Sequence, residues 1–447
     1  MKMPVAPPDL PPGLACRLAA AAALSDVVMN GRGLEEALAG AAQHPRFVTA
    51  IDDRDRALAR SIVIVSLRRL GTLRRFIGRL LDKGLPKKSG QLEWILVVTA
   101  AQILFLDIPD HAAVNACVQA VRLDPASQGF AALANAVARN IARQRDEHES
   151  EDPFADTPTW LATRWRKTYG DDTAAAIAAA NRSEATLDLT VKSDPELWAE
   201  RLDGDVLASG SIRLHTNATP VPELPGYAEG EWWVQDAAAA LPARLLKTES
   251  GERVADLCAA PGGKTAQLLL TGATVTAVDR SAERLKRFAV NLERLGFTAE
   301  TEVADATAYS AAQPFDAILL DAPCTATGTM RRHPDVGWIK RASDIITLSA
   351  LQSRMLDRAA TLLRPGGRLV YCTCSIEPEE GEMQIAALLR RNPDLVRSPI
   401  TPDEIGGLSA SITSLGELRS LPCHPARLDP PLIGLDGFFA ARLTRRA

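Results

Sequence analysis

From residue 14 to about 145, apolar residues recur at helical spacing in a background rich in alanine, leucine and arginine. The series Leu58, Ile62, Val65, Leu70, Leu73, Ile77 and Leu80 sets one helical face against a core. Trp94 to Leu106 is nearly all apolar yet too short to span a bilayer, which predicts a buried bundle helix. Asp107-Ile108-Pro109-Asp110 stops that helix and offers a fresh N-cap. Gln144 to Asp156 is polar and acidic and runs into Pro153 and Pro158, so residues 146–157 read as a linker. Residues 158–245 mix patterns: a helix around Trp160 to Tyr169, an alanine-rich helix, then Thr186 to Lys192 alternating like a half-buried strand. From Glu252 strands and helices alternate. Strands are predicted at 252–258, 274–279, 300–304, 315–320, 367–374 and 437–443, with helices such as 281–295 and 347–363 between them, and Arg364-Pro365-Gly366-Gly367 turns into the fifth strand. This is a doubly wound α/β layout, whose ligands bind outside the carboxyl ends of the strands.

The 447 residues suit two or three domains, and 46% hydrophobic with 24% charged residues is an ordinary globular balance. A formal net charge of -4 excludes a uniformly basic coat, so RNA binding would have to come from local patches. One candidate lies between Arg54 and Lys88, where eleven basic residues face two acidic ones, Asp55 and Asp82. Such a run is either a solvated helix face or a phosphate-contacting one, with Arg68, Arg69, Arg74 and Arg75 as its centre. Trp160, Trp165, Trp198, Trp232 and Trp233 all fall in the middle section; each is either a packing residue or a platform for a base. Seven cysteines without framework spacing predict free thiols in a reducing cytoplasm. No apolar run approaches a membrane span. Met1 to Gly13, with five prolines and one lysine, makes a poor signal peptide, and Leu14-Ala15-Cys16 lacks the apolar region of a lipoprotein site.

The chemistry concentrates in three places. After the strand ending near Leu257 comes Cys258-Ala259-Ala260-Pro261-Gly262-Gly263-Lys264, where Gly262 and Gly263 let the backbone approach a ligand and the next helix offers free N–H groups. Asp279 ends the second strand, where a carboxylate can hold a ribose hydroxyl pair, and Asp305 ends the third, within reach of an adenine amino edge. The dinucleotide fingerprint and the Walker spacing are both absent, so S-adenosylmethionine fits better than a dinucleotide. Two later turns each present a thiol: Cys324 after Asp321-Ala322-Pro323, and Cys374 within Thr373-Cys374-Ser375. Carbon 5 of cytosine is a feeble nucleophile, and a thiolate adding to C6 turns it into an enamine carbon able to attack a sulfonium methyl. A base must then remove the C5 proton. The thiol must be activated from a free pKa of about 8.5, with Lys264, Arg332 and His333 as candidate cations, and Asp321 can bond the cytosine N4 and N3 edge. Cys258 and Cys372 read as small buried residues. Cys372 and Cys374 with His333 and His424 would be a poor zinc site, for no second paired-ligand motif exists; no metal is expected.

The stretches DLCAAPGGKT at 256–265, AVDRS at 277–281, LLDAPCTATGTMRRHPDV at 319–336, LVYCTCSIEPEE at 369–380 and DGFFAARL at 436–443 carry a resemblance over nearly the whole chain. The chain resembles the Sun (RsmB) family of bacterial 16S ribosomal RNA cytosine-5 methyltransferases. The resemblance implies an all-α NusB-like RNA-binding domain at 14–145, a small α+β middle domain at 158–245 and a Rossmann-like methyltransferase domain at 246–447. It implies that Cys258, Ala259, Ala260, Pro261, Gly262, Gly263, Lys264, Asp279, Asp305 and Asp321 line the cofactor site, that Cys374 is the nucleophile, and that Cys324 assists product release. Spacing alone leaves the order of the two thiols open. Arg332 and His333 join the four arginines as expected RNA contacts. The expected partner is 16S ribosomal RNA, unassembled or partly assembled, met by a cytoplasmic monomer without membrane or metal. Departures from the family pattern are Leu189-Thr190-Val191-Lys192 for the usual Leu-Arg-Val-Asn, Gly381 for an asparagine after Pro-Glu-Glu, and Thr325 for a serine. The same chemistry on transfer RNA is the alternative within the enzyme class, and the NusB-like section favours ribosomal RNA. An antitermination factor with a silent methyltransferase domain is the alternative outside it; the presence of both thiols and every cofactor carboxylate speaks against that.

Overall fold

A computed structural model of the chain describes residues 10–11, 13–43, 51–149 and 151–447. The proline-rich start read for signal sequences lies almost wholly outside them. Two compact units result: Met1–Arg182 with His333–Arg341, and Ser183–Arg332 with Ala342–Ala447.

The first unit is helical: α1 (Leu14–Asn30), α2 (Leu34–Ala42), α3 (Asp53–Arg68), α4 (Leu70–Arg79), α5 (Leu92–Phe105), α6 (Asp110–Leu123), α7 (Ala131–Arg143), α8 (Thr159–Tyr169) and α9 (Asp171–Arg182). The apolar α5 is the central helix, with Leu92 and every residue from Trp94 to Ile103 buried. The series from Leu58 to Leu80 does face the core, but on two helices that break at Arg69. Asp110 does not cap α6; it is the first helical residue and pairs with Arg145.

The acidic stretch read as a linker is packed instead. Asp156 is buried, and its carboxylate accepts from Thr72 N at 2.7 Å and Thr72 Oγ1 at 2.8 Å. That satisfies a free N–H in the first turn of α4, whose own N-cap residue Arg69 supplies no side-chain bond. Gly71 permits the approach, since a Cβ there would collide with the Ala155 carbonyl. The helices α8 and α9 also belong to this unit, so the boundary expected at 158 falls after Arg182. The returning segment His333–Arg341 completes it: Asp335 accepts from Leu34 N at 3.1 Å and Trp338 Nε1 donates to Leu67 O at 2.9 Å.

The second unit opens with a four-stranded antiparallel sheet, order β2-β3-β1-β4, from β1 (Asp188–Val191), β2 (Gly204–Val206), β3 (Ile212–Leu214) and β4 (Trp232–Val234), with α10 (Pro195–Arg201) between β1 and β2 and α11 (Leu241–Leu245) after β4. The expected half-buried alternation in β1 gives way to burial of Asp188, which Arg213 holds through two bonds of 2.7 and 2.9 Å. The Rossmann-like part follows: β5 (Arg253–Leu257), α12 (Gly263–Leu270), β6 (Thr274–Asp279), α13 (Ala282–Arg294), β7 (Glu300–Val303), β8 (Phe315–Asp321), α14 (Val336–Ile339, within the first unit), α15 (Ala342–Leu362), β9 (Leu363–Thr373), α16 (Glu382–Arg391), β10 (Leu395–Arg397), β11 (Leu418–Ser420), β12 (Pro425–Arg427), β13 (Leu432–Ile433) and β14 (Phe438–Arg445). Its main sheet runs β10-β14-β9-β8-β5-β6-β7, parallel from β9 to β7, with β14 antiparallel to β9 and β11 paired on β14.

Alternate residues of the central strands feed two cores. Val254, Val275, Ala317, Leu319 and Val370 pack with α11 and α12. Ala255, Leu257, Ile318, Leu320, Leu369 and Tyr371 pack with α15 and α16. Burial on both faces explains why these strands are nearly continuous apolar runs. Among the described residues no helix is long and apolar enough to cross a membrane.

Candidate active site

The carboxyl ends of β5, β6, β8 and β9 meet around one concavity. Leaving β5, Cys258 takes a left-handed φ of 69° and bonds back to Val278 O at 2.8 Å; Gly262, at φ 107°, then turns the chain into α12. Beyond β6, Asp279 is buried, and its carboxylate accepts from Ala260 N at 3.3 Å and Ser281 N at 3.0 Å while pairing with Arg284 at 3.1 Å. Asp305, after β7, accepts from Thr307 N and Thr307 Oγ1, both at 2.8 Å, which holds its carboxyl below the usual carboxylate range. A cavity of about 220 Å³ runs between these groups, lined by Cys258, Asp279, Arg284 and Asp305 on one side and by Asp321, Cys324 and Cys374 on the other, with Val278, Ala306, Leu351 and Met355 as apolar walls. A second cavity of about 350 Å³ shares Ala260 and Asp321 with it and is lined by Tyr227, Trp233, Gln235, Lys264 and Arg294.

The two sequence-distant thiols come together. Cys324 Sγ and Cys374 Sγ lie 3.5 Å apart and are free cysteines. Their contact, then burial, pushes the Cys324 thiol well up. At the root of the pair Asp321 ends β8 and accepts from Lys264 Nζ at 2.8 Å. Burial pulls the Lys264 ammonium down, but the Asp321 carboxylate, with Cys372 and Cys374 nearby, outweighs it and keeps the lysine charged. The same ammonium sits 5.0 Å over the Phe438 ring. Cys258 and Cys372 behave as small core residues: burial, then the Asp321 carboxylate, pushes the first up to about 12 and the second well up. No group of three or more His, Cys, Asp or Glu among the described residues is placed to hold a metal.

Other expected contacts are placed differently. Arg332 is turned inward, donating to Asp236 at 2.8 Å, Asp188 at 3.0 Å and Thr186 O at 2.7 Å. It belongs to a buried cluster of Arg213, Arg331 and Arg332 with Asp188, Asp236 and Asp436. Burial works against the Asp236 carboxylate, yet the two neighbouring arginines hold it low. His333 opens the segment that completes the helical unit. Of the candidate cations for thiol activation, Lys264 interacts with Cys374. In the helical unit Arg68 ends α3, Arg69 pairs with Glu149 at 2.6 Å over the Phe105 ring, Arg74 with Glu93 at 2.8 Å over Trp94, and Arg75 with Asp152 at 3.4 Å. Trp165, Trp198 and Trp232 are buried packing residues, and Trp233, also buried, lines the second cavity.

Sequence reasoning passed over Arg284, Phe438, Gln352 and Glu380. Glu380 stood in the Pro-Glu-Glu run, and its chemistry was invisible because its partners lie on three other elements. The departure at Gly381 has a steric reason: a side chain there would meet the Arg419 guanidinium, which donates to Ser375 O at 2.6 Å and pairs with Glu382 at 2.7 Å.

Known proteins agree with this layout. The family model described as 16S rRNA methyltransferase RsmB/F matches residues 243–444, and the NusB family model matches residues 15–143. A ribosomal RNA small subunit methyltransferase B of Xylella fastidiosa is 38% identical over 449 residues, covering 97% of this chain and 98% of its own. That of Vibrio cholerae is 39% identical over 397 residues, covering 85% and 90%. The crystal structure of PH0851 shares the fold, with a TM-score of 0.68 at 23% identity over 97% of this chain and 99% of its own. On these matches the chain belongs to the RsmB/F family of 16S rRNA methyltransferases, with a NusB-family helical domain preceding its catalytic part.

Proposed function

We propose that the protein transfers a methyl group from S-adenosylmethionine to carbon 5 of a cytosine in 16S ribosomal RNA, through a covalent bond between Cys374 and the base. The observation that carries this reading is the pair of free thiols 3.5 Å apart that line the same cavity as the carboxylates of Asp279, Asp305 and Asp321. The residues there suit the cofactor: Asp279 and Asp305 offer acceptors for a ribose and an adenine edge, and Val278, Ala306, Leu351 and Met355 offer flat apolar walls. When bound, the sulfonium supplies an electrophilic methyl group.

The chain's own residues do the rest. Cys374 attacks C6 as a thiolate, forming a C–S bond and leaving C5 electron-rich. The Lys264–Asp321 pair, 2.8 Å apart, stands beside the attacked ring and steadies the charge that develops on it. Once C5 carries the methyl group, Cys324, a thiol at rest, gives its proton to solvent and as a thiolate takes the C5 proton, the electron pair returns to C5–C6, and Cys374 leaves as a thiolate. The one proton released to solvent balances the loss of positive charge from the sulfonium.

Substituting each thiol separately tests this division. Cys374→Ala is expected to abolish methylation and to form no adduct. Cys324→Ala is expected to attack and methylate but to retain RNA through denaturing electrophoresis. Trapping by Cys374→Ala instead would reverse the roles. Turnover by both variants, with no trapped RNA, would sink the covalent route. Bisulfite sequencing of 16S RNA from cells lacking the protein would identify the cytosine.

A further inference from the structure

Glu380 is fully buried, which pushes its carboxyl up, and among the described residues its carboxylate bonds to the neutral groups of Thr325 and Gln352. Thr325 N donates to it at 3.0 and 3.2 Å, Thr325 Oγ1 bonds to Oε2, and Gln352 Nε2 donates to Oε1 at 3.2 Å. Burying a carboxylate among neutral donors costs stability that an amide of the same shape would largely avoid. The placement suggests a use for the group.

Its partners bracket one residue. Thr325 follows Cys324, and the Gln352 amide that reaches Glu380 also donates to Pro323 O at 2.9 Å, just before Cys324. The Cys324 turn is thus gripped on both sides by a Gln352–Glu380 unit. The same unit reaches the other thiol's turn, since Ser375 follows Cys374 and its Oγ lies 3.3 Å from both Thr325 Oγ1 and Thr327 Oγ1. Glu380 is anchored in turn through its backbone carbonyl, which accepts from Tyr371 OH at 2.8 Å and Thr373 Oγ1 at 3.3 Å.

We propose that Glu380, braced by Gln352, is the positioning residue of Cys324: it fixes that sulfur against Cys374, so that Cys324 is placed to accept the C5 proton and does not attack the ring. This rests on the division of labour proposed above.

The test follows one turnover of the full-length protein on its RNA substrate, reading the formation and decay of the denaturation-resistant adduct separately. Glu380→Gln is expected to form adduct at the wild-type rate and to release product at least about tenfold more slowly, a fraction of what general-base catalysis contributes. Thr325→Ser, which keeps the hydroxyl, should behave as wild type, and Thr325→Val should fall between. Parallel loss of both steps would mean that Glu380 only supports the fold, and wild-type decay in Glu380→Gln would make it idle; either overturns the proposal. Should Glu380→Gln melt early, Gln352→Leu provides the second reading, because it loosens the same turn while leaving the carboxylate. Failure of Cys324→Ala to trap RNA counts against the thiol roles themselves; trapping by Cys324→Ala with normal release by Glu380→Gln counts against Glu380 alone.

Discussion

The arginines of α3 and α4 and those that follow the Cys324 turn in sequence meet carboxylates in opposite settings. Arg74 and Arg75 lie at the surface with Glu93 and Asp152, their side chains 37% and 43% exposed. Arg331 and Arg332 lie inside the second unit, at 6% and 16%, where three arginines and three aspartates neutralise one another. A surface pair is screened and readily exchanges its partner for a phosphate, whereas a buried cluster cannot lose a member without stranding a charge. A basic residue beside a catalytic motif is thus a weaker sign of RNA contact than one on an exposed helix, whatever the local charge count.

The largest expected effect lies on the buried side. Arg332→Met should cost roughly 3–5 kcal/mol of stability, because Asp188 and Asp236 lose their shared donor in a closed interior. Thermal unfolding checks this. An unchanged melting temperature with weakened RNA binding would return Arg332 to the surface role expected from sequence, and the contrast between the two settings would collapse.

Next comes Asp279→Ala, expected to weaken S-adenosylmethionine binding by roughly 1.5–3 kcal/mol for each charge-assisted bond lost. Its carboxylate also holds Ala260 N and Arg284, so the loop itself should loosen. Titration calorimetry reads the affinity, and unchanged binding would remove Asp279 from the cofactor site.

Much of the catalytic half was legible because short apolar strand runs and glycine turns are local signals. The strands at 274–279 and 300–303 and the helix α13 lie within a residue or two of their expected bounds. The meeting of Cys324 with Cys374 followed from family resemblance and from strand-end logic. What stayed hidden depends on distant partners. Asp188 looked like a polar-face residue because its neutralisers, Arg213 and Arg332, lie 25 and 144 positions away. Asp156 looked like linker because nothing in sequence says that α4 needs a cap from 84 residues downstream. Composition marks a segment as polar; it does not say whether the polarity faces water.

The smallest effect is expected on the exposed face, and it decides whether that face meets RNA at all. Reversing Arg74 and Arg75 to glutamate should cost under about 1 kcal/mol of stability, since exposed pairs contribute no more than that. If the face contacts phosphates, each lost contact should lower the salt slope of RNA binding by about one, with cofactor affinity untouched. The acidic partners sharpen the question. Asp152 already occupies Arg75, so RNA must displace it to bind there. Asp152→Asn with Glu93→Gln should then strengthen RNA binding and steepen its salt dependence, because Arg75 and Arg74 no longer trade one anion for another. If both the reversed and the released variants keep the wild-type slope, the acidic segment and the arginines serve only to hold α4 against its neighbours, and the RNA contacts of the helical unit lie elsewhere.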